Sequence, residues 1–149
     1  MQEVRLYILS EQKGNASERG RVAYELETVT KSGRTVTCDD HLYLTDRNRN
    51  GATLEGLLDA LDKHVLDNMD ISITLFTEAP LINTQIIAGN MEKWDRAGYV
   101  TAKGEPVKYA DLWEQIYDLL KMKVKGGIVS CDRVPYEKQR VLENIIRKE

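Results

Sequence analysis

Val4, Leu6 and Ile8 alternate with Arg5 and Tyr7, a period of two that predicts a strand. A polar loop is expected from Ser10 to Gly20, with Gly14-Asn15 as its turn. Val22, Tyr24 and Leu26 then alternate with Ala23, Glu25 and Glu27, a second strand. Lys31-Ser32-Gly33 reads as a turn, and alternation resumes from Thr35 to Leu44. These two runs predict an antiparallel hairpin. Asp46 to Gly51 is expected to be a polar loop.

Beyond it the period changes. Leu54, Leu57, Leu58, Leu61 and Val65 make one apolar stripe at helical spacing. Ile71, Ile73 and Leu75 return to strand spacing. Pro80 opens a second helix at its first turn, where a missing N–H costs nothing, and that helix carries Leu81, Ile82, Ile86 and Ile87. Tyr109, Trp113, Ile116, Tyr117 and Leu120 predict a third helix. Gly126-Gly127 punctuates, Ile128-Val129 predicts a short fifth strand, and Pro135 starts a last helix. That helix is expected to turn Val141, Leu142, Ile145 and Ile146 to the core and to end at Arg147-Lys148-Glu149. The order βββαβααβα predicts a mixed α/β arrangement, with residues 1–149 as a single domain.

Composition narrows the function. A net charge of −3 gives no global basic field, so any contact with nucleic acid must come from a local patch. No apolar run is long enough to predict a membrane span, and Met1 to Arg5 lacks a signal pattern. Cys38 and Cys131 form neither a disulfide framework nor a zinc spacing, so a reducing cytoplasm is the expected setting. Cys38-Asp39-Asp40-His41 is rich in metal-binding residue types, but consecutive strand residues alternate faces and do not converge on one ion. His64 is expected to be a partly exposed helix residue.

One stretch carries a resemblance. Trp94, then Arg96 and Gly98, Pro106-Val107-Lys108, and Asp111-Leu112-Trp113 stand in the register of the substrate-gripping handle of type 1 ribonuclease H, and Gly14-Asn15 and Asn50 also fit. The chain thus resembles a divergent member of that family with a degenerate active site. The resemblance implies a ribonuclease H-like fold: a five-stranded mixed sheet, three antiparallel strands then parallel ones, flanked by helices. It also implies the family's activity, cleavage of RNA in RNA–DNA hybrid by two magnesium or manganese ions about 4 Å apart.

Magnesium needs oxygen ligands, which the family supplies as four carboxylates. In this chain the first position holds Leu9, with Ser10 and Glu11 following. The second holds Thr53, and Glu55 points about 200° around the helix from it. Glu78 keeps the third position, although an acid there also suits a cap near Pro80. Alignment on Pro135 puts Val141 at the fourth, with Asp132, Glu137 and Glu143 as candidates for a displaced acid. Glu78 is therefore the one surviving family carboxylate, and no metal cofactor is expected unless the site is rearranged.

The binding residues that the resemblance implies are Asn15, Arg47, Arg49, Asn50, Lys93, Trp94, Arg96 and Lys108. Glu92, Asp95 and Glu105 are interleaved with the handle's cations, which makes it nearly neutral, and Trp113 is expected in the core. The leading expectation is a ribonuclease H-like domain without hybrid cleavage that binds nucleic acid weakly through its backbone. An active metal-dependent enzyme built on Glu78, Glu11 and a C-terminal acid is the alternative. A scaffold that binds a protein partner, marked by an exposed apolar patch around Leu9, is the third.

Overall fold

A computed structural model describes residues 1–148, with side chains through Arg147; Glu149, the predicted end of the last helix, lies outside the described residues. The elements are β1 (Gln2–Ser10), β2 (Glu18–Val29), β3 (Thr35–Arg47), α1 (Arg49–His64), β4 (Ile71–Thr77), α2 (Pro80–Ile87), α3 (Asn90–Ala97), α4 (Ala110–Lys123), β5 (Ile128–Asp132) and α5 (Tyr136–Lys148). The strands make one sheet in the order β3-β2-β1-β4-β5. β1 pairs antiparallel with β2 and parallel with β4, and β5 continues the parallel half. This is the mixed sheet that the change of period predicted. No helix among the described residues is long and apolar enough to cross a membrane.

The central strand has both faces covered. Leu6 and Ile8 enter one core cluster with Leu54, Leu57, Leu61, Trp113 and Ile116, beneath α1 and α4. Tyr7 belongs to a second cluster with Ala23, Val134, Leu142 and Ile146, beneath α5. Tyr7 also stacks on Phe76 with ring centroids 4.7 Å apart. Close approach of α1 to the sheet depends on Gly56, where an added Cβ would come within 2.9 Å of Val22.

The structure corrects the predicted elements in three places. Asp46 to Gly51 is not a loop: β3 runs to Arg47, and α1 starts at Arg49. Asn48 makes that abrupt join possible as N-cap, its Oδ1 accepting the Gly51 N–H at 2.9 Å. Asn50 consequently lies inside the first helical turn rather than before the helix. The predicted loop from Ser10 to Gly20 shrinks to residues 11–17, plugged by the fully buried Gln12, whose Oε1 accepts from the Ser10 hydroxyl at 2.8 Å. Finally α3 is an additional helix, giving βββαβαααβα. Met91 is its one buried residue, so it carries no apolar stripe for periodicity to detect.

Candidate functional site

Parallel pairing of β1 with β4 sets Ile8 beside Thr77, so the two strands end together. The chain leaves them at Leu9-Ser10 and at Glu78, the carboxyl edge where sheets of this kind receive ligands. The start of α1 closes one side, with the Arg49 guanidinium donating to the Glu78 carbonyl at 3.2 Å. The face of α5 that carries Gln139, Glu143 and Arg147 closes the other. Between them lies a cavity of about 380 Å³ lined by Leu9, Ser10, Glu11, Lys13, Arg49, Thr53, Glu78, Gln139, Glu143 and Arg147, among others.

Leu9, Thr53 and Glu78 thus share one cleft, but Val141 does not line it. Helix geometry explains the difference. α5 packs through Leu142 and Ile146, which turns Gln139, Glu143 and Arg147 to the cleft at spacings of four. Val141 is two residues from both Gln139 and Glu143, hence about 200° away from each, and is 37% exposed. Of the three candidates for a displaced acid, Glu143 alone reaches the cleft; Asp132 and Glu137 do not line it.

The acids present have other partners. Glu78 does not cap α2, whose N-cap is Ala79 with no side-chain bond. Its Oε1 accepts from the Arg133 guanidinium and its Oε2 from the Val134 N–H, both at 2.8 Å. Glu11 accepts the Arg21 N–H at 2.6 Å. Thr53 is buried, and its hydroxyl donates back to the Arg49 carbonyl at 2.8 Å. Glu55 turns away to pair with Arg47 at 3.0 Å. Among the described residues, no group of three or more His, Cys, Asp or Glu side chains could hold a metal ion. Leu9 is half-buried against the second core cluster.

The implied binding residues divide. Arg49 lines the cleft, whereas Arg47 is held by Glu55. The Asn15 carbonyl accepts from Asn48 at 3.4 Å. On α3, Trp94 is half-buried and tilted against Trp113 with centroids 5.3 Å apart, so it anchors the handle to α4. Arg96 pairs with Glu92 one turn back, and Lys108 sits 5.4 Å from the Tyr109 ring centroid. Tyr109 joins handle to cleft. Its hydroxyl donates to Asn48 Oδ1 at 2.6 Å, an anchor that no spacing in the sequence announces.

No family model matches the chain. A ribonuclease H of Prosthecochloris aestuarii (strain DSM 271 / SK 413) is 33% identical over 60 residues, 36% of this chain and 41% of that protein. The matching part therefore spans less than half of that relative. Among solved structures, LC9-RNase H1, a type 1 enzyme with the type 2 active-site motif, superposes over 99% of this chain and 72% of its own, with TM-score 0.73 and 15% identity. The foamy viral protease-reverse transcriptase in complex with double-stranded DNA matches over 99% of this chain and 92% of its own, at TM-score 0.69 and 13% identity. RNase H1 of Halobacterium salinarum NRC-1 matches over 98% of this chain and 96% of its own, at TM-score 0.53 and 16% identity. Identities this low show the fold alone: the chain has a ribonuclease H-like fold.

Proposed function

We propose that this chain is a ribonuclease H-like domain that has given up hybrid cleavage and binds nucleic acid weakly through its sugar–phosphate backbone. The donor set of the cleft carries this reading. Leucine and threonine stand at two carboxylate positions, and the Thr53 hydroxyl is spent on its own helix. Both oxygens of Glu78 already accept from Arg133 and Val134. These residues do not fit a pair of hard divalent ions, which needs several converging oxygens.

Binding needs less. Lys13, Arg49 and Arg147 line the same cleft, and no acidic side chain pairs with them among the described residues. A phosphate entering the cleft would meet these cations directly. The foamy viral relative has been captured with RNA/DNA hybrid, a polymer that offers such a backbone. The chain's net charge of −3 opposes a polyanion, which keeps the affinity low and sensitive to salt.

One observation favours a second reading. Glu11, Glu78 and Glu143 all line the cleft; as placed they do not converge on an ion, so a single-metal site would need these side chains to swing together. The anisotropy of a fluorescent RNA–DNA hybrid, followed at low salt with magnesium and manganese, separates the two. A rise that persists and is reversed by salt supports binding without cleavage. A rise that decays to short fragments, and that Glu78→Gln abolishes, supports the enzyme. A flat trace removes both.

A further inference from the structure

A second constellation lies at the opposite end of α1. His64, the last residue of that helix, sits about 22 Å along its axis from Arg49. Its Nδ1 lies 3.4 Å from Cys38 Sγ, and its Nε2 lies 3.1 Å from Asp40 Oδ2. Cys38 and Asp40 are two apart on β3 and therefore share a face. The order is thiol, imidazole, carboxylate, with the two ring nitrogens serving different partners. A carboxylate on Nε2 holds the proton there and leaves Nδ1 as the base that faces the thiol.

From this geometry we propose that Cys38, His64 and Asp40 form a nucleophilic thiol site that accepts short acyl groups from activated esters or thioesters. The site has room for an acyl chain. Cys38 and His64 border a pocket of about 180 Å³ whose other walls include Val4, Leu26, Val36 and Ile71. A cavity of about 150 Å³ with such walls holds benzene, so a chain of about four to six carbons fits. The thiol itself is exposed.

The electrostatics suit the task. Burial pushes the Asp40 carboxyl up, but bonds from the His41 N–H and the His64 ring outweigh it, and Asp40 ends below the ordinary carboxylate range. It is therefore ionised at neutral pH. Other charges nearby have partners of their own. Asp59 pairs with Lys63 at 3.0 Å and accepts from the Tyr24 hydroxyl at 2.7 Å. Glu27, which lines the same pocket, is bound by Lys138 and Tyr7. Tyr24 stands edge-on to His64 at 5.7 Å, and burial pushes its phenol far up, so it stays neutral.

The chemistry balances without a further reagent. His64 takes the Cys38 proton, the sulfur attacks the acyl carbon, and the departing alkoxide or thiolate takes that proton back. Water, deprotonated by His64, then attacks the thioester, releasing a carboxylic acid and restoring the thiol. The net reaction is ester or thioester hydrolysis.

The test uses the whole chain and p-nitrophenyl butyrate. A burst of nitrophenolate is expected, with one butyryl group located on Cys38 by digestion and mass spectrometry. Cys38→Ala abolishes the burst, and His64→Gln slows it about 100-fold, the usual loss of a general base. Iodoacetamide alkylation against pH supplies a second readout. Cys38 should react faster than in His64→Gln or Asp40→Asn, and Cys131, whose thiol burial pushes up to about 11, should lag throughout. Butyryl transfer absent from Cys38, or an alkylation profile of Cys38 unchanged by His64→Gln, overturns the proposal. Retained far-ultraviolet circular dichroism checks that each variant is folded.

Discussion

The Arg133 guanidinium donates to Glu78 Oε1 at 2.8 Å while the Val134 N–H donates to Oε2, so one carboxylate ties the end of β4 to the segment entering α5. The carboxylate serves as a clasp between two chain segments. The two bonds should not count equally. Arg133 is 79% exposed, and such pairs stabilise little. Arg133→Ala should leave the urea midpoint where it is. Glu78→Ala also leaves a half-buried backbone N–H without its acceptor, which should cost about 2 kcal/mol. Urea unfolding of both variants checks the difference.

The register of α5 decides where added carboxylates should test the proposed loss of cleavage. Leu9→Asp with Thr53→Glu would place two new carboxylates in the cleft that Glu78 and Glu143 already line. This double variant should gain magnesium affinity, read by titration calorimetry, and should begin to cut RNA–DNA hybrid. It should also lose stability, because Thr53 is only 3% exposed and an acid there is buried. Val141→Asp should add nothing, since that side chain faces solvent rather than the cleft. A gain of magnesium binding on adding Val141→Asp would contradict this placement.

How far the sequence foretold these features depends on the range of the interaction. Alternation in β1 and β2 and the stripe of α1 reflect burial against a whole layer, which repeats and is legible. The boundary at Asn48 depends on one side chain capping one turn and on Tyr109 from 61 residues away, so composition suggested a loop. Alignment on Pro135 puts the fourth carboxylate position at Val141 but cannot detect which face of α5 packs, so it does not foretell that Val141 lies outside the cleft. Cys38 and Asp40 were dismissed as ligands because strand neighbours diverge. That argument concerns a metal, and no metal-holding group lies there among the described residues; it does not bear on a nucleophile, for which Cys38 and Asp40, two apart, meet His64 from another element.

Lys138 should govern the pH dependence of stability. Its Nζ bonds Glu25 and, at 2.7 Å, Glu27, and it lies 5.1 Å from the Tyr7 ring centroid. Burial pushes Glu27 up, but the bonds from Lys138 and Tyr7 prevail and bring it below its ordinary 4.5. Burial pulls Lys138 down, and its two carboxylates raise it above its ordinary 10.5. A lowered acid stabilises above its unfolded value and loses that contribution as pH falls through the folded one. A raised amine stabilises below its unfolded value and loses that contribution as pH rises through the folded one. The cluster therefore supports the fold between about pH 4.5 and pH 10.5 and fails on either side. Lys138→Met should lose about 2 kcal/mol at pH 7, less than a fully buried pair because the lysine is partly solvated. It should also flatten the acid limb, since Glu27 loses its nearer cation and keeps only Arg5 at 3.7 Å and the Tyr7 hydroxyl. Urea midpoints from pH 3 to pH 7, falling towards acid more steeply in the natural protein than in the variant, check both.

Lys123 closes the far end of α1, where the last carbonyls of a helix have no partner within it. The side chain is buried at the end of α4, and its Nζ donates to Leu61 O at 2.9 Å, Asp62 O at 3.0 Å and Val65 O at 2.8 Å. A single ammonium thus supplies the cap that the sequence around His64 and Val65 lacks, with no glycine at the helix end. Lys123→Met keeps the stem and removes the three donors. It should cost about 3 kcal/mol, because the carbonyls stay buried without partners. The loss should be local before it is global. Amide exchange of the last turn of α1, around Lys63 to Val65, should accelerate more than that of Leu54 to Leu57, which the sheet holds directly. Equal acceleration along the helix would mean that Lys123 supports the core packing of α4 rather than the end of α1.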